Sequence, residues 1–293
     1  TQKMRMLFEV ENLDEASPAT VSRIGVVYVP NTAVGWKPLV ASWLQRTFPS
    51  ENGVTETINE EDGSITYSGE NNAMVARRLQ ELFDTLFEPA LAFRKRSCTQ
   101  PVKTDDMNAA ATCCSFMQSM LRFDGGTQSF GGTGEAREKI TDIKDQNMAL
   151  ILAERLFAMA LVWAVAGSVA SECRDAFDSK FDELFAKFKC DKFLPGAGGS
   201  DSCYDFWLDS RTPDGTKGQG DFRLWSEVVP DFTYDPKAKF FDLVVPTKAT
   251  TCYSHLMELS VRDGKPVYLT GVTGTGKSVM ASSLLDSLRA HAN

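Results

Sequence analysis

Hydrophobic residues in the middle of the chain recur at the spacing of an α-helix. The first stripe falls at positions i, i+3, i+4, i+7 and i+8, which form one helix face: Leu79, Leu82, Phe83, Leu86 and Phe87. A second stripe, in a helix expected at about 172–188, consists of Phe177, Phe181, Leu184, Phe185 and Phe188. With further helices expected at about 105–122 and 142–170, the pattern predicts a helical region in the centre of the chain.

The most apolar region, residues 148–170, predicts a buried helix and not a membrane span. Glu154 and Arg155 interrupt it, and the apolar part that remains is shorter than the ~20 residues that a bilayer requires. A helix that is apolar on nearly every face normally lies in the core of a protein.

Short β-rich runs lie towards the two ends of the chain, at 5–10, 24–29, 240–245 and 265–270. They are apolar enough for buried strands of a parallel sheet. Between the ends, the acidic residues 51–72 predict either a small hairpin or a mobile insertion. Glycines between 125 and 134 predict a flexible connection. Residues 191–239 lose periodicity, but Trp207 and Trp225 indicate a segment that packs through its aromatic side chains.

Charge and cysteine content exclude several classes of function. The formal net charge is −8, so no global basic field favours nucleic acid or anionic lipid. We therefore expect neither nucleic acid nor a membrane as a partner. The seven cysteines contain no Cys-x-x-Cys pair, which argues against a disulfide framework or a zinc site.

A phosphate-binding pattern lies near the carboxyl end of the chain, made of Gly271, Val272, Thr273, Gly274, Thr275, Gly276, Lys277 and Ser278. Glycines in such a loop let successive N–H groups turn towards an anion, and the helix that follows favours negative charge at its first turn. Lys277 would reach the β- and γ-phosphates of ATP or ADP, and the Ser278 hydroxyl would bind Mg²⁺. The alternative is a Gly/Thr-rich surface turn that matches by accident, but the strand before and the helix after favour a nucleotide site.

Hydrolysis would require more than this loop. An acidic residue on a neighbouring strand and a charge-stabilising arginine are also needed. The residues after Ser278 supply no such strand, so we do not expect this chain to be a complete ATPase by itself.

Segments at both ends of the chain carry a family resemblance. The first segment contains Met6-Leu-Phe-Glu-Val-Glu-Asn12, Ser17-Pro-Ala-Thr-Val-Ser-Arg23 and Gly35-Trp36. It resembles the end of the second AAA+ module of the dynein heavy-chain family, and its sequence is more similar to axonemal members. Downstream, Val244-Val-Pro-Thr247 and the phosphate loop resemble the entry to the third module. Two separated segments in the order of one family are more specific than either alone.

The resemblance implies roles for further residues. Asn12 corresponds to a sensor-like residue of the second module, or else it is a polar strand-end cap. Arg23 corresponds to an arginine finger that acts in trans on the preceding module, or else it is an ordinary salt-bridged arginine. Val244, Val245, Pro246 and Thr247 correspond to the segment that lies against adenine, or else they are simply the end of a buried strand. Arg174 is either a sensor carried by the lid or a helix-surface arginine.

The expected fold is α/β, a P-loop AAA+ fragment in which partial parallel-sheet cores flank an α-helical lid. The expected domains are the end of the second module core (1–48), the acidic hairpin or insertion (49–72), the lid (73–190), the aromatic and Gly-rich connection (191–239) and the start of the third module core (240–293).

The family implies an ATP-driven, minus-end-directed microtubule motor of the cilium or flagellum axoneme, a cytoskeletal location within the cytoplasm. Its partners would be the rest of the heavy-chain ring, intermediate and light chains, and microtubules through distant parts. The alternatives are a non-motor AAA+ P-loop ATPase and a module that holds nucleotide without hydrolysing it.

Overall fold

The computed structural model describes residues 8–10, 12–27, 31–51, 53–58, 65–123, 140, 143, 145–187, 201–211, 217–232 and 245–290. The chain divides into two compact units, Thr1–Gly35 and Trp36–Asn293. The described part of the first unit contains two short helices, α1 (Pro18–Val21) and α2 (Asn31–Val34).

The described part of the second unit is mainly helical, with two small antiparallel sheets. Its elements are α3 (Lys37–Thr47), β1 (Thr55–Ile58), β2 (Ile65–Ser68), α4 (Asn71–Leu82), α5 (Glu88–Ser97), α6 (Asp106–Phe123), α7 (Gln146–Leu161), α8 (Arg174–Lys187), β3 (Phe206–Arg211), β4 (Lys217–Leu224), α9 (Lys248–Arg262) and α10 (Lys277–Ala290). Single π-helical turns at Phe83–Phe87 and Val162–Ala166 continue α4 and α7.

Both predicted helical stripes are buried. The five residues of the first stripe are each at most 1% exposed. In the second stripe Phe177 and Phe181 are completely buried, whereas Phe188 lies outside the described residues. The π turn at Phe83–Phe87 was not predicted, because apolar spacing over one turn does not distinguish i→i+4 from i→i+5 hydrogen bonding.

Helix α7 is the centre of the second unit and packs against α4, α6 and β4. With the turn that continues it, Gln146–Ala166 is long and apolar enough to cross a membrane, with a mean hydropathy of 1.9. However, 72% of its apolar window is buried inside the protein. The structure therefore confirms the prediction of a core helix.

The two charged residues that interrupt α7 are paired with neighbouring elements. Glu154 accepts a hydrogen bond of 2.5 Å from Nε of Arg78 in α4. Arg155 donates to the backbone carbonyl of Gly220 in β4. Both side chains are largely buried, at 13% and 18% exposure. Because a buried charge is tolerated only when it is paired, these contacts fix α4 and β4 on α7.

Residues 55–68 contain the hairpin that was one of two alternatives for this acidic segment. Strands β1 and β2 pair antiparallel, with Thr55 opposite Ser68. The hairpin is attached to α4 through an ion pair between Glu56 and Arg77 and a hydrogen bond from Tyr67 to Glu81. Burial, and then the Glu81 carboxylate, raise the pKa of Tyr67 to about 12.

Residues 201–211 and 217–232 pack through aromatic side chains, as predicted. Strands β3 and β4 form a second antiparallel hairpin. Trp207 and Trp225 are 1% and 0% exposed, and their ring centroids lie 6.2 Å apart at an interplanar angle of 30°. Both rings contact His255 of α9. The hairpin therefore joins α7 to α9 through one hydrophobic core.

The predicted strands near the chain ends are not paired in the described residues. Segments 24–27 and 267–270 form no ladder with any described strand. Residues 8–10 and 245 are the described remainder of the other two runs, and they are not strands either. Val27 and Tyr268 are 84% and 82% exposed. A strand needs hydrogen bonds to a neighbouring strand, and the described residues of these four runs have none.

Candidate phosphate-binding loop and adjoining cleft

The phosphate-loop sequence forms an exposed turn that ends where α10 begins. Gly271, Gly274 and Gly276 have φ angles of 150°, 87° and 81°, a region in which residues with a Cβ are strained. No described protein atom lies within 4 Å of the position that a Cβ would take at Gly274 or Gly276. The glycines are therefore required for backbone torsion and not for close packing.

Hydrogen bonds inside the loop hold it in shape. Lys277, the first residue of α10, places its Nζ atom 2.7 Å from the carbonyl oxygen of Val272 and 3.2 Å from Oγ1 of Thr275. Thr275 also donates from Oγ1 to the Val272 carbonyl at 3.0 Å. The ammonium group therefore lies over the loop, beside the first turn of a helix.

These features fit an anion such as the phosphate chain of a nucleotide. A helix amino terminus offers free N–H groups and a partial positive charge, and Lys277 adds a full positive charge. Thr273 and Ser278 are exposed. Ser278 lies in the first turn of α10, where its hydroxyl is free to reach a metal ion bound to phosphate.

A cleft of about 250 Å³ lies between α9 and α10. Its apolar lining includes Pro246, Met280 and Leu284, and hydroxyl groups come from residues such as Thr251 and Ser254. Such a mixture of apolar surface and a few polar groups is typical of a small-molecule site.

The four residues predicted to lie against adenine have different surroundings. Pro246 lines the cleft, Val245 is 57% exposed, and Val244 lies outside the described residues. Thr247 caps α9 in a reciprocal pair with Thr250: its Oγ1 accepts from the Thr250 N–H, and its own N–H donates to the Thr250 Oγ1.

Helix α9 was not predicted, although the sequence contains signals for it. Thr247 and Thr250 have the spacing of a capping pair, and Cys252 and Leu259 are buried on one face of the helix that follows. Met280 and Leu284 were also not assigned to a site. Their i, i+4 spacing places them on one face of α10, but only the tertiary structure brings that face to α9.

A neighbouring face of α9 is part of the core. His255 is 2% exposed and lies against the rings of Trp207 and Trp225, at centroid distances of 6.2 and 5.4 Å. Burial lowers the pKa of His255 to about 3, so this side chain is neutral at physiological pH. The helix that borders the cleft is therefore anchored in the aromatic core.

Asn12 and Arg23 belong to the first unit and are described within it. The Oδ1 atom of Asn12 accepts a hydrogen bond of 3.3 Å from the N–H of Asp14, which is a local turn contact. Arg23 follows α1, its backbone N–H donates to the Thr20 carbonyl, and its side chain is exposed. It forms no ion pair with any residue that the structure describes.

Arg174 is neither a free surface arginine nor part of the loop. It begins α8, with its guanidinium carbon 4.8 Å from the ring centroid of Tyr204. Its Nη2 atom donates to the hydroxyl of Tyr253 in α9 at 3.0 Å. Arg174 therefore connects α8 with the helix that borders the cleft.

Comparison with known protein families accounts for most of the chain. Residues 79–227 match the family described as dynein heavy chain AAA lid domain. Residues 232–293 match the family described as P-loop containing dynein motor region. The first match covers half of the chain and ends beyond the β3–β4 hairpin, and the second contains α9, the loop and α10.

Individual relatives align over nearly the whole chain. Dynein axonemal heavy chain 2 of Homo sapiens is 27% identical over 291 residues, which is 98% of this chain and 5% of that protein. Dynein axonemal heavy chain 12 of Mus musculus is 28% identical over 97% of this chain and 8% of its own length. The ciliary dynein beta chain of Heliocidaris crassispina is 27% identical over 98% of the chain and 5% of its own length. The chain thus spans less than a tenth of the length of these relatives.

Proposed function

Because this chain belongs to the dynein heavy-chain family, we propose that it links two successive modules of a nucleotide-driven ring and binds nucleotide at the second of them. The match to a P-loop motor region implies nucleotide binding. The loop geometry carries the proposal for the site: left-handed glycines, an ammonium group held over the turn, and a helix that begins at Lys277.

We assign ATP or ADP with Mg²⁺ to this loop. The N–H groups between Gly271 and Gly276 and the Lys277 ammonium would hold the β- and γ-phosphates, and Ser278 would contribute a ligand to Mg²⁺. The metal would neutralise phosphate charge and orient the phosphate chain. Lys277 would exchange its present contact with the neutral Val272 carbonyl for a contact with phosphate, which is the stronger hydrogen bond because both partners are charged.

The cleft between α9 and α10 is the proposed site of the base. Its volume and its partly apolar lining suit a planar heterocycle, and Pro246 belongs to the segment that resembles the adenine contact of the family. In this assignment Val244 and Val245 are proposed to contact the base together with Pro246, and Thr247 acts mainly through the position of α9, because its hydroxyl is engaged in capping.

Arg23 and Asn12 are proposed to serve the modules that precede the loop. The Arg23 side chain is exposed and forms no ion pair with a described residue, as is needed for a guanidinium that reaches another module. Replacement of Arg23 by Ala should slow ATP hydrolysis by the intact motor. It should not weaken nucleotide binding at the loop that contains Lys277. An unchanged ATPase rate would remove the arginine-finger assignment. Asn12 keeps the sensor-like role only as a proposal, since its amide oxygen is used in a local turn.

We propose the following domain boundaries. Residues 1–48 would end the second module core, 49–72 form the acidic hairpin, 73–190 the lid and 240–293 the start of the third module. The segment 191–239 would serve as a connection that packs on the lid, which is consistent with a lid match that extends to residue 227.

The whole protein would be an ATP-driven, minus-end-directed microtubule motor of the ciliary axoneme, within the cytoplasmic cytoskeleton. The names of its relatives support this assignment. Its partners would be the remaining ring, intermediate and light chains, and microtubules through distant parts, with no role for nucleic acid or a membrane. A non-motor AAA+ ATPase is less favoured, because both family matches are to dynein.

Replacement of Lys277 by Ala tests the site. A fluorescent ATP analogue with Mg²⁺ should bind the variant at least about tenfold more weakly, since a hydrogen bond to a charged group contributes ~1.5–3 kcal/mol. Lys265→Ala is the matched control, because it removes the same charge from an exposed residue just before the loop. Equal affinity of the Lys277 variant and the unmodified chain would refute the proposed site.

A further inference from the structure

An aromatic and charged cluster holds α9 on sides that do not line the cleft. Arg174 packs on the Tyr204 ring and donates to the Tyr253 hydroxyl. Trp163 meets both tyrosine rings edge-on, at centroid distances of 5.7 and 6.3 Å. This cluster ties the first residue of α8 and the end of α7 to α9.

A second contact holds the first residue of α9. Nζ of Lys248 lies 2.6 Å from Oδ1 of Asp205, in the turn that precedes β3. The Lys248 side chain is 54% exposed, so this ion pair contributes less than the Arg174 contact. Nε of Arg174 is buried without a hydrogen-bond partner in the described part of the chain. The Tyr253 hydroxyl is therefore an important polar partner of a guanidinium that is partly removed from water.

These contacts bear on one wall of the cleft and not on the phosphate loop. Thr250, Thr251 and Ser254 of α9 form that wall, and they lie within one helical turn of Tyr253. The loop leads directly into α10, and the side-chain hydrogen bonds that the structure describes for it are all within residues 272–277. A displacement of α9 would therefore change the affinity of the cleft for a base, whereas the contacts of the loop with phosphate would not change.

We propose that Arg174 and Tyr253 are positioning residues, and that their contact sets the affinity of the cleft for the base of a bound nucleotide. This inference rests on the proposed nucleotide site. Arg174 lies in the part that matches the lid family, and Tyr253 lies in the part that matches the P-loop region. The contact thus joins the lid part of the chain to the part that carries the proposed nucleotide site.

The size of the effect follows from the kind of contact. One charge-assisted hydrogen bond and one cation–π contact are involved, and coupling between sites typically amounts to about 5–150-fold in affinity. We expect Tyr253→Phe, which removes only the hydroxyl, to lower the affinity for ADP by about fivefold. Arg174→Lys keeps the charge but loses the planar stacking group, and it should lower the affinity for ADP by about tenfold.

The test compares two ligands on the 293-residue chain. ADP and inorganic pyrophosphate, each with Mg²⁺, are titrated calorimetrically into the unmodified chain and into the Tyr253→Phe and Arg174→Lys variants. Pyrophosphate should bind all three proteins within twofold, whereas ADP should bind the variants more weakly. Lys180→Ala is the control on α8, because Lys180 pairs with Glu183 of its own helix, and it should change neither affinity.

Each result decides the matter. Equal ADP affinity in all proteins overturns the positioning role, and so does a parallel loss of ADP and pyrophosphate affinity, which would reflect general destabilisation. If the unmodified chain binds neither ligand, the proposed nucleotide site itself is wrong. A selective loss of ADP affinity in both variants supports the inference, because a purely structural role would not separate the base from the phosphates.

Discussion

Mild acid should destabilise this protein through His255. The imidazole is 2% exposed between Trp207 and Trp225, and its pKa is lowered from 6.5 to about 3 by burial. The unfolded chain therefore takes up a proton between pH 6.5 and 3 that the folded protein does not. Stability from this group is fully present above pH 6.5 and is lost as the pH falls towards 3.

The size of the effect follows from these two pKa values. Linkage gives a slope of up to about 1.4 kcal/mol per pH unit for one proton. Between pH 7.5 and 5.5 the integrated loss from His255 is about 1.4 kcal/mol. Asp and Glu have ordinary pKa values of about 4, so most of their protonation takes place below this interval.

Urea denaturation at pH 7.5 and 5.5 measures the loss directly. The unmodified chain should lose about 1.4 kcal/mol of unfolding free energy more than His255→Gln between these two pH values, because glutamine does not ionise. The chain has one other histidine, His291, and His291→Gln is the matched control. That control should retain the pH dependence of the unmodified chain.

Two results would refute the reasoning. If His255→Gln shows the same pH dependence as the unmodified chain, the folded protein accepts the proton near the ordinary pKa. If the control loses the pH dependence, the effect belongs to His291. A lower stability of His255→Gln at both pH values would be expected from lost contacts and would not affect the comparison of slopes.

Three further changes test the core and the loop. Trp225→Ala should lower the free energy of unfolding, measured by urea denaturation, by about 3–5 kcal/mol, as truncation of a fully buried tryptophan does. Its control is Phe232→Ala, at a side chain that is 44% exposed, which should change stability by at most about 0.5 kcal/mol. Glu154→Ala should cost up to about 3 kcal/mol of unfolding free energy, because it removes one carboxylate partner of Arg78 and leaves Glu81 as the other. Adding Arg78→Met should recover part of this loss, and a larger loss in the double variant would contradict the pairing. Gly274→Ala should weaken pyrophosphate binding about tenfold in calorimetry, since a left-handed residue with a Cβ costs ~1–2 kcal/mol, and unchanged affinity would mean that loop torsion is unimportant.

Helix faces were the most predictable part of the fold. The stripe from Leu79 to Phe87 and the one through Phe177 and Phe181 each bury the side that their spacing indicated. Glu154 and Arg155 of α7 could be predicted only as charged residues that interrupt an apolar pattern. The partners that they find, Arg78 and the Gly220 carbonyl, come from elements 65 to 76 residues away in sequence, which local spacing cannot reveal.

Strands were less predictable, because a strand depends on partners that its own sequence does not contain. The apolar run at 265–270 remains unpaired in the described structure, and the hairpin of β3 and β4 forms from a Gly- and Asp-containing segment without a strong alternating pattern. What stabilises that hairpin is the burial of Trp207 and Trp225 against α7 and α9. Aromatic content gave a sign of this packing, but not its partners.

The same distinction between local and long-range contacts divides the candidate site. The phosphate loop depends on the torsions of its glycines and on hydrogen bonds within residues 272–277, so a short motif was enough to predict it. The cleft depends on where α9 lies, and that is decided by His255 in the aromatic core and by Tyr253 at Arg174. A motif can therefore identify the proposed phosphate-binding group, whereas the position of α9, and with it the proposed affinity for the base, depends on residues that no local pattern marks. In a ring motor this arrangement would let a neighbouring lid adjust the affinity for nucleotide while the contacts of the loop with phosphate stay constant.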